Sequence, residues 1–201
     1  MIPARYAATR FPGKLMQVLG DKTVIRHTYD ATVATGLFDE VIVVTDSDII
    51  FTEITAAGGS AVLSKYEHES GSDRIAEAVA DMNVDIVLNV QGDEPFVQKE
   101  PLEKLLTVFE DPTVQVASLM QVLKEERFIA DPNYVKVAVD KNMNALFFSP
   151  CKQMLTCRHR HARRFNGVAL ILGHGSYELS KPRNFVPRGF GVNQQRCIAF
   201  E

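Results

Sequence analysis

The sequence predicts a doubly wound α/β fold, in which helices cover a mostly parallel, Rossmann-like sheet that carries an antiparallel addition. Two short apolar runs, residues 40–45 (EVIVVT) and 84–90 (VDIVLNV), are typical of strands buried on both faces of a parallel sheet. Segments with helical spacing of apolar residues alternate with such strands, as parallel connections require. Residues 135–140 and 145–149 flank a polar turn and predict the antiparallel addition.

The individual elements follow from periodicity, caps and glycines. Residues 1–2 are expected to end a strand that would start before Met1, because a buried strand needs about five residues. Asp46 and Ser47 favour a cap for the following helix over a ligand role. In chain order, the predicted elements are a helix over 22–36, a strand over 40–45, a helix over 49–57, a strand over 61–64, a helix over 73–82, a strand over 84–90, a helix over 100–109, a strand over 114–122, a short helical piece over 125–129, and strands over 135–140 and 145–149.

A cluster of polar residues follows the strand over 84–90. Gln91, Asp93 and Glu94 emerge around Gly92, and ligands of open α/β sheets bind at the carboxyl ends of strands. Asp93 is therefore a candidate ligand for a hard divalent cation held against phosphates. The alternative is a surface turn whose polar residues face water.

The loop over residues 3–14 carries three cations. Arg5, Arg10 and Lys14 lie near small residues and a Pro12-Gly13 pair, so that backbone and positive charge can both approach a polyphosphate. A solvated basic loop is the alternative, and the spacing favours phosphate binding.

Residues 68–74 (HESGSDR) form a small, hydroxyl-rich turn at the start of a helix. Ser70 or Ser72 can cap that helix. The same hydroxyls, the free backbone N–H groups and Arg74 could also form a pocket for a base or an anion.

Composition limits the function classes. The chain has 201 residues, 46% hydrophobic content and a net charge of −3, which predicts one ordinary globular domain rather than a disordered or nucleic-acid-seeking protein. No apolar run reaches membrane-spanning length and no signal sequence opens the chain, so the cytoplasm is expected. The three cysteines lack a disulfide spacing and fit a reducing compartment.

The charge balance changes sign near residue 150. Residues 1–149 hold 13 Lys or Arg against 23 Asp or Glu, whereas residues 150–201 hold 9 against 2 and include every cysteine. The two parts are therefore treated as a first domain and a separate tail. In the tail, residues 168–172 (VALIL) could form a strand, and residues 158–164 are a basic run that could touch nucleic acid but is more typical of a solvated segment. A further alternative is a zinc site at Cys151, Cys157, His159 and His161, although their spacing matches no usual zinc pattern.

Four motifs in this order resemble one family. They are residues 2–14 (IPARYAATRFPGK), 68–74 (HESGSDR), 89–95 (NVQGDEP) and the pair 133–140 (NYVKVAVD) with 145–149 (ALFFS). Together they resemble the 3-deoxy-manno-octulosonate (KDO) cytidylyltransferases, also called CMP-KDO synthetases, over residues 1–149. The first loop favours this branch over the related sialic-acid cytidylyltransferases.

The resemblance implies a nucleotidyltransferase that converts CTP and KDO to CMP-KDO and pyrophosphate, with Mg²⁺, for lipopolysaccharide biosynthesis. It further implies a homodimer with small-molecule substrates, and neither nucleic acid nor membrane as a partner. Asp93 would be the metal ligand, and Gln91 would lie towards the sugar. The catalytic residues would be Arg5, Lys14 and Asp93; the nucleotide would contact Arg5, Arg10, Lys14, Ser70, Gly71, Ser72, Arg74 and Gln91.

The resemblance ends near Ser149. The family continues with a sugar-binding region and a late Gly-Val-Asp motif, whereas Gly191-Val192 is here followed by Asn193. Residues 150–201 are interpreted as the product of a different translation frame, or as a divergent sugar-binding segment. Activity is therefore expected to be impaired, and the alternatives are a non-catalytic CTP or NTP binder and a cytidylyltransferase for another sugar acid.

Overall fold

The computed structural model describes residues 1–7, 11–122, 127–128, 131, 133–149, 169–171, 178–180 and 195–200. These residues form an α/β fold with a parallel sheet, helices and antiparallel strands, as the sequence predicts. The predicted helical piece at 125–129 lies largely outside the described residues. So do Arg10, the proposed zinc ligands, the basic run and Asn193.

The described strands and helices alternate through the first two thirds of the chain. The helices are α1 (Val24–Ala34), α2 (Asp48–Ala56), α3 (Gly71–Val79) and α4 (Lys99–Thr107), with 3-10 turns at Lys14–Met16 and Val108–Glu110. The strands are β1 (Ile2–Ala4), β2 (Val18–Leu19), β3 (Lys22–Thr23), β4 (Ile42–Thr45), β5 (Ser60–Leu63), β6 (Val87–Asn89), β7 (Val116–Val122), β8 (Val135–Val139), β9 (Ala145–Ser149), β10 (Ala169–Ile171), β11 (Glu178–Ser180) and β12 (Gln195–Phe200).

Strand β1 lies in the middle of the parallel part of the sheet. It pairs in parallel with β4, which pairs in parallel with β5. On its other side, the amino group of Met1 donates to Leu88 O at 2.9 Å and Val90 N donates to Met1 O at 3.0 Å. These two bonds bring β1 beside β6, so the carboxyl ends of β4, β1 and β6 are neighbours.

The antiparallel part contains the predicted hairpin and strands from residues beyond 149. Strands β8 and β9 pair antiparallel, and β10, from the predicted strand at 168–172, pairs antiparallel with β8 and β7. Strand β11 pairs antiparallel with both β6 and β7, whereas β12 pairs in parallel with β7. Backbone segments beyond residue 149 therefore contribute strands to the same sheet.

Apolar side chains cover both faces of the sheet. Leu88 belongs to the main core with Ile25, Ile54 and Leu105 from three helices, whereas its neighbour Val87 packs in a second cluster with residues of α3. Because successive strand residues point to opposite faces, the two clusters lie on opposite sides of β6. This arrangement is the doubly wound architecture that the apolar runs predict.

Local signals explain most helix boundaries, with one correction. Thr23 caps α1 because its Oγ1 accepts a hydrogen bond from Arg26 N at 3.3 Å, which shortens the helix predicted over 22–36. The prediction that Asp46 or Ser47 caps α2 through its side chain is wrong. Ser47 occupies the N-cap position without a side-chain capping bond, and Asp46 instead pairs with Arg74. The carboxylate of Asp46 is thus used in a long-range ion pair.

Within the described part of the chain, no helix has the length and apolar character needed to cross a membrane.

We predict that Leu105→Ala lowers the free energy of unfolding by about 2–5 kcal/mol, because the Leu105 side chain is completely buried and its loss leaves a cavity. Leu146→Ala is the matched control, since Leu146 is 46% exposed and should change stability by less than about 1 kcal/mol. Urea unfolding of both variants measures the difference. Equal losses of stability in the two variants would contradict the burial of Leu105 in the core.

Candidate functional site

The turn after β6 is fixed by the close packing of Gly92. A Cβ atom at this position would lie 3.2 Å from Pro3 O and from the Cδ1 atoms of Leu15 and Ile25. The carbonyl oxygen of Gly92 accepts a 2.9 Å hydrogen bond from the buried hydroxyl of Thr28 on α1. The turn is therefore held against β1 and α1, and the direction in which Asp93 leaves the sheet is set by packing.

Lys14 and Asp93 meet at this turn. Lys14 Nζ lies 2.6 Å from Asp93 Oδ2, although 79 residues separate them in the sequence. The side chains are 45% and 21% exposed, so the pair is open to solvent. Lys14 is a candidate for binding a polyphosphate and Asp93 for a cation held against phosphates, and this ion pair brings the two residues together.

The loop that carries Lys14 is closed by its own backbone. Gly13 has φ of 69° and donates from N to Tyr6 O at 2.9 Å, and Met16 N donates to Gly13 O at 2.9 Å. This left-handed conformation favours glycine. The hydrogen bond between Gly13 and Tyr6 returns the chain from the end of β1 to the 3-10 turn at Lys14–Met16. Arg5, at the carboxyl end of β1, is exposed.

Glu94 adds a second carboxyl group beside the ion pair. Burial raises the pKa of Glu94 above its ordinary value, and the negative charge of Asp93 raises it further, whereas Lys14 lowers it. Gln91, on the other side of Gly92, is half-buried and donates from Nε2 to Asn89 Oδ1 at 3.1 Å. The turn thus presents one paired carboxylate, one carboxyl group with a raised pKa and one amide.

The segment over residues 68–74 begins α3 beside β1. Ser70 caps the helix by accepting from Asp73 N at 3.1 Å, so the capping alternative is confirmed for this serine. A Cβ at Gly71 would lie 3.1 Å from Pro3 Cγ, which places the helix start in close contact with β1. Ser72 is half-buried on the first turn of the same helix.

Glu77 holds the residues that precede α3. Its carboxylate accepts from Lys65 N at 2.7 Å and pairs with the ring of His68. Burial alone would raise the pKa of Glu77, but the hydrogen bonds from His68 and from the backbone of Lys65 and Tyr66 hold it below its ordinary value. The turn over 64–70 is thereby tied to the helix that follows it.

Arg74 is buried beneath the segment. Its Nη1 donates to Ala4 O at 2.8 Å, and its Nη2 donates to Asp46 Oδ2 at 2.5 Å. Arg74 is expected from the sequence to contact the nucleotide, but two of its nitrogen atoms are engaged by the protein itself. The guanidinium connects α3 with the ends of β1 and β4.

The site therefore combines residues from the carboxyl ends of three neighbouring strands. Arg5 follows β1, Asp46 follows β4, and Gln91, Asp93 and Glu94 follow β6. Sequence analysis did not identify the roles of Thr28, Glu77 and the Asp46–Arg74 pair. Thr28 lies on the apolar face of α1, where an unexplained hydroxyl is a weak signal of a buried hydrogen bond; the partners of the other residues have no local signature.

Known proteins resemble this chain over most of its length. A family model described as cytidylyltransferase matches residues 1–188. The 3-deoxy-manno-octulosonate cytidylyltransferase of Flavobacterium johnsoniae is 61% identical over 152 residues, which are 74% of this chain and 62% of that protein. The corresponding protein of Cytophaga hutchinsonii is 40% identical over 171 residues, which cover 84% of this chain and 67% of that protein.

Solved structures show the same fold. A CMP:2-keto-3-deoxy-manno-octonic acid synthetase complexed with CTP superposes with a TM-score of 0.84 at 27% identity, covering 99% of this chain and 88% of that chain. A 4-diphosphocytidyl-2C-methyl-D-erythritol synthase from Anaerococcus prevotii, at 15% identity and a TM-score of 0.58, shares the fold alone. The chain spans about three fifths of the length of the first curated relatives that it matches.

We predict that Asp93→Asn lowers the pKa of Glu94 towards its ordinary value, because the variant removes a neighbouring negative charge. Lys14→Met should raise the same pKa. NMR titration of the Glu94 carboxyl carbon measures both shifts, and Glu103→Gln, on the surface of α4, serves as the control that should change nothing.

The raised pKa of Glu94 also predicts how the stability of the folded protein depends on pH. Because its folded pKa lies above that of the unfolded chain, Glu94 contributes most to stability below about pH 4.5, and the contribution is lost as the pH rises through the folded value. A Glu94→Gln variant should reduce this part of the pH dependence of unfolding. An unchanged profile would contradict the burial of Glu94.

Proposed function

Because the chain belongs to the cytidylyltransferase family, we propose that it transfers CMP from CTP to the anomeric hydroxyl of KDO, which gives CMP-KDO and pyrophosphate. The observation that carries this proposal is the contact between Lys14 and Asp93 at the carboxyl edge of the sheet. A cation and a carboxylate open to solvent at one point can bind a phosphate and a metal ion that are themselves in contact.

The single carboxylate of Asp93 is suited to a divalent metal ion such as Mg²⁺. Within the described ranges, no group of three or more His, Cys, Asp or Glu could hold a metal by itself. Mg²⁺ usually takes one or two carboxylates and completes its shell with water and substrate phosphates. We therefore infer that Asp93 holds Mg²⁺ together with the triphosphate; the bound ion would neutralise phosphate charge.

The remaining roles belong to the chain's own side chains. Arg5, Arg10 and Lys14 would hold the triphosphate and offset the charge that builds on the departing pyrophosphate. Lys14 would exchange part of its contact with Asp93 for a phosphate oxygen. The bond forms between the anomeric oxygen of the sugar and the α-phosphorus as the bond to pyrophosphate breaks and the hydroxyl proton leaves to solvent, so no protein nucleophile is required.

Base and sugar would lie on either side of these phosphates. Ser70, Gly71 and Ser72 would form part of the cytidine pocket, with Arg74 beneath them, because a pyrimidine is specified by hydrogen bonds to its edge. Gln91 would lie towards the sugar, and its amide is held in place by Asn89. Positioning and charge neutralisation would then carry the rate.

The two-part organisation stays part of the proposal. Residues 1–149 would form the nucleotidyltransferase domain, and residues 150–201 the divergent or frame-shifted tail. The 61% identity to the Flavobacterium johnsoniae protein spans 152 residues, close to the length of the proposed domain. We further infer a homodimer, which light scattering would measure, in the cytoplasm, with a role in lipopolysaccharide biosynthesis.

We predict that Asp93→Asn and Lys14→Met each weaken the binding of CTP with Mg²⁺ about tenfold or more, because each removes a charge that faces the triphosphate. Calorimetry measures the affinity. Lys22→Met is the matched control: Lys22 also pairs with an aspartate, at 3.0 Å, and its side chain is 44% exposed. Equal affinities for CTP, ATP and GTP would favour a general NTP binder over a cytidylyltransferase.

Turnover is expected to be low in this chain. Its tail lacks residues that resemble the family's sugar-binding region and late aspartate, so we predict pyrophosphate release from CTP, KDO and Mg²⁺ well below about 1 s⁻¹. A rate at or above that value would show that the tail supplies a working sugar site. Offering other sugar acids in the same assay tests the choice of acceptor.

A further inference from the structure

We propose that Arg74 and Asp46 form a positioning pair, which fixes the carboxyl end of β1 and with it the loop that carries the phosphate-binding cations. Neither residue would touch the nucleotide. The proposal rests on the proposed function in one respect, because it assigns the loop after β1 to the triphosphate.

The geometry of Arg74 supports this role. The residue is only 4% exposed, and it joins two segments that lie 70 and 28 residues away in the sequence. Its Nε has no hydrogen-bond partner among the described residues. The hydrogen bonds of the guanidinium come from its two terminal nitrogen atoms. Together these contacts determine where the guanidinium lies.

The end of β1 needs such a contact. Strand β1 has three residues and includes Pro3, which cannot donate a backbone hydrogen bond to the sheet. Its pairing with β4 ends at Ala4 and Thr45. Arg74 donates to the carbonyl oxygen of Ala4, the last paired residue of β1. This bond fixes the backbone immediately before Arg5, where the loop starts.

Asp46 keeps the guanidinium in place. A buried cation is stable only when a partner offsets the cost of removing it from water, and removal of that partner leaves the charge uncompensated. Asp46 is the residue directly after β4, and its side chain is 38% exposed, so it reaches the buried arginine from the rim of the sheet. Lysine could not replace arginine here, because one ammonium lacks the two-pronged geometry.

The start of α3 brings Arg74 within reach. Ser70 caps the helix, and a Cβ at Gly71 would lie only 3.1 Å from Pro3 Cγ, so helix and strand are in close contact. Arg74, on the first turn of α3, can therefore reach under the strand end. The same pair thus couples the segment proposed to bind the base with the loop proposed to bind the phosphates.

The test compares Asp46→Asn with Asp30→Asn. Asp30 also pairs with a partly buried arginine, Arg26, at 2.9 Å, but lies on α1. The reporter is the amide of Gly13, whose hydrogen bond to Tyr6 O closes the loop. We expect hydrogen exchange at Gly13 to accelerate about threefold or more in Asp46→Asn, relative to amides of α4, and to stay unchanged in Asp30→Asn.

Nucleotide binding provides the second readout. CTP with Mg²⁺ should bind about threefold to tenfold more weakly to Asp46→Asn, and Asp46→Glu should recover part of both losses because it restores the charge. If wild-type protein binds no CTP, the proposed function fails, whereas the exchange at Gly13 still decides whether the pair positions the loop.

A purely structural role gives a different result. Asp46→Asn would then lower the urea midpoint but leave Gly13 exchange and CTP affinity as in the wild type, and the proposal would be overturned. If Asp46→Asn does not fold, the same two measurements on Arg74→Lys, which keeps the charge but loses the two-pronged geometry, replace it. Wild-type values for both in Arg74→Lys would reject the positioning role.

Discussion

The close approach of Gly92 to β1 and α1 is the constraint on which the rest of the site depends. With Pro3 O, Leu15 and Ile25 each 3.2 Å from a Cβ at this position, the turn has little room for a side chain. The hydrogen bond from Thr28 then fixes the orientation of the turn. Asp93, the next residue, is consequently brought to Lys14 across 79 residues of sequence. The contact between the two proposed ligand-binding charges is thus a consequence of core packing.

Two ion pairs with similar chemistry differ in what they can do. The Lys14–Asp93 pair is partly exposed, so water screens it and its contribution to stability is small. Its charges remain available to a ligand. The Arg74–Asp46 pair has its cation buried at 5% side-chain exposure, where separation of the charges is costly. Exposure therefore suits the first pair to binding and the second to holding the backbone in place.

Strands from both parts of the chain, before and after residue 149, pair within one sheet. Strand β11, from residues 178–180, lies between β6 and β7 and is hydrogen-bonded to both. The predicted boundary at residue 149 thus marks a change in charge and cysteine content, while backbone pairing crosses it. The family model likewise extends to residue 188. The domain boundary itself stays a prediction that limited proteolysis can test.

The alternation of strands and helices, the α/β class and the polar residues at the strand ends can be predicted from the sequence, because apolar periodicity, glycines and the Ser70 cap act over a few neighbouring residues. The pairing of Asp46 with Arg74, in place of a cap on α2, and the hydrogen bond of Thr28 to Gly92 are visible only in the folded chain. These contacts join residues 28 and 64 positions apart. The physical reason is that such partners are selected by which strand ends and helix faces come together, and that proximity exists only after the sheet and its helices have packed.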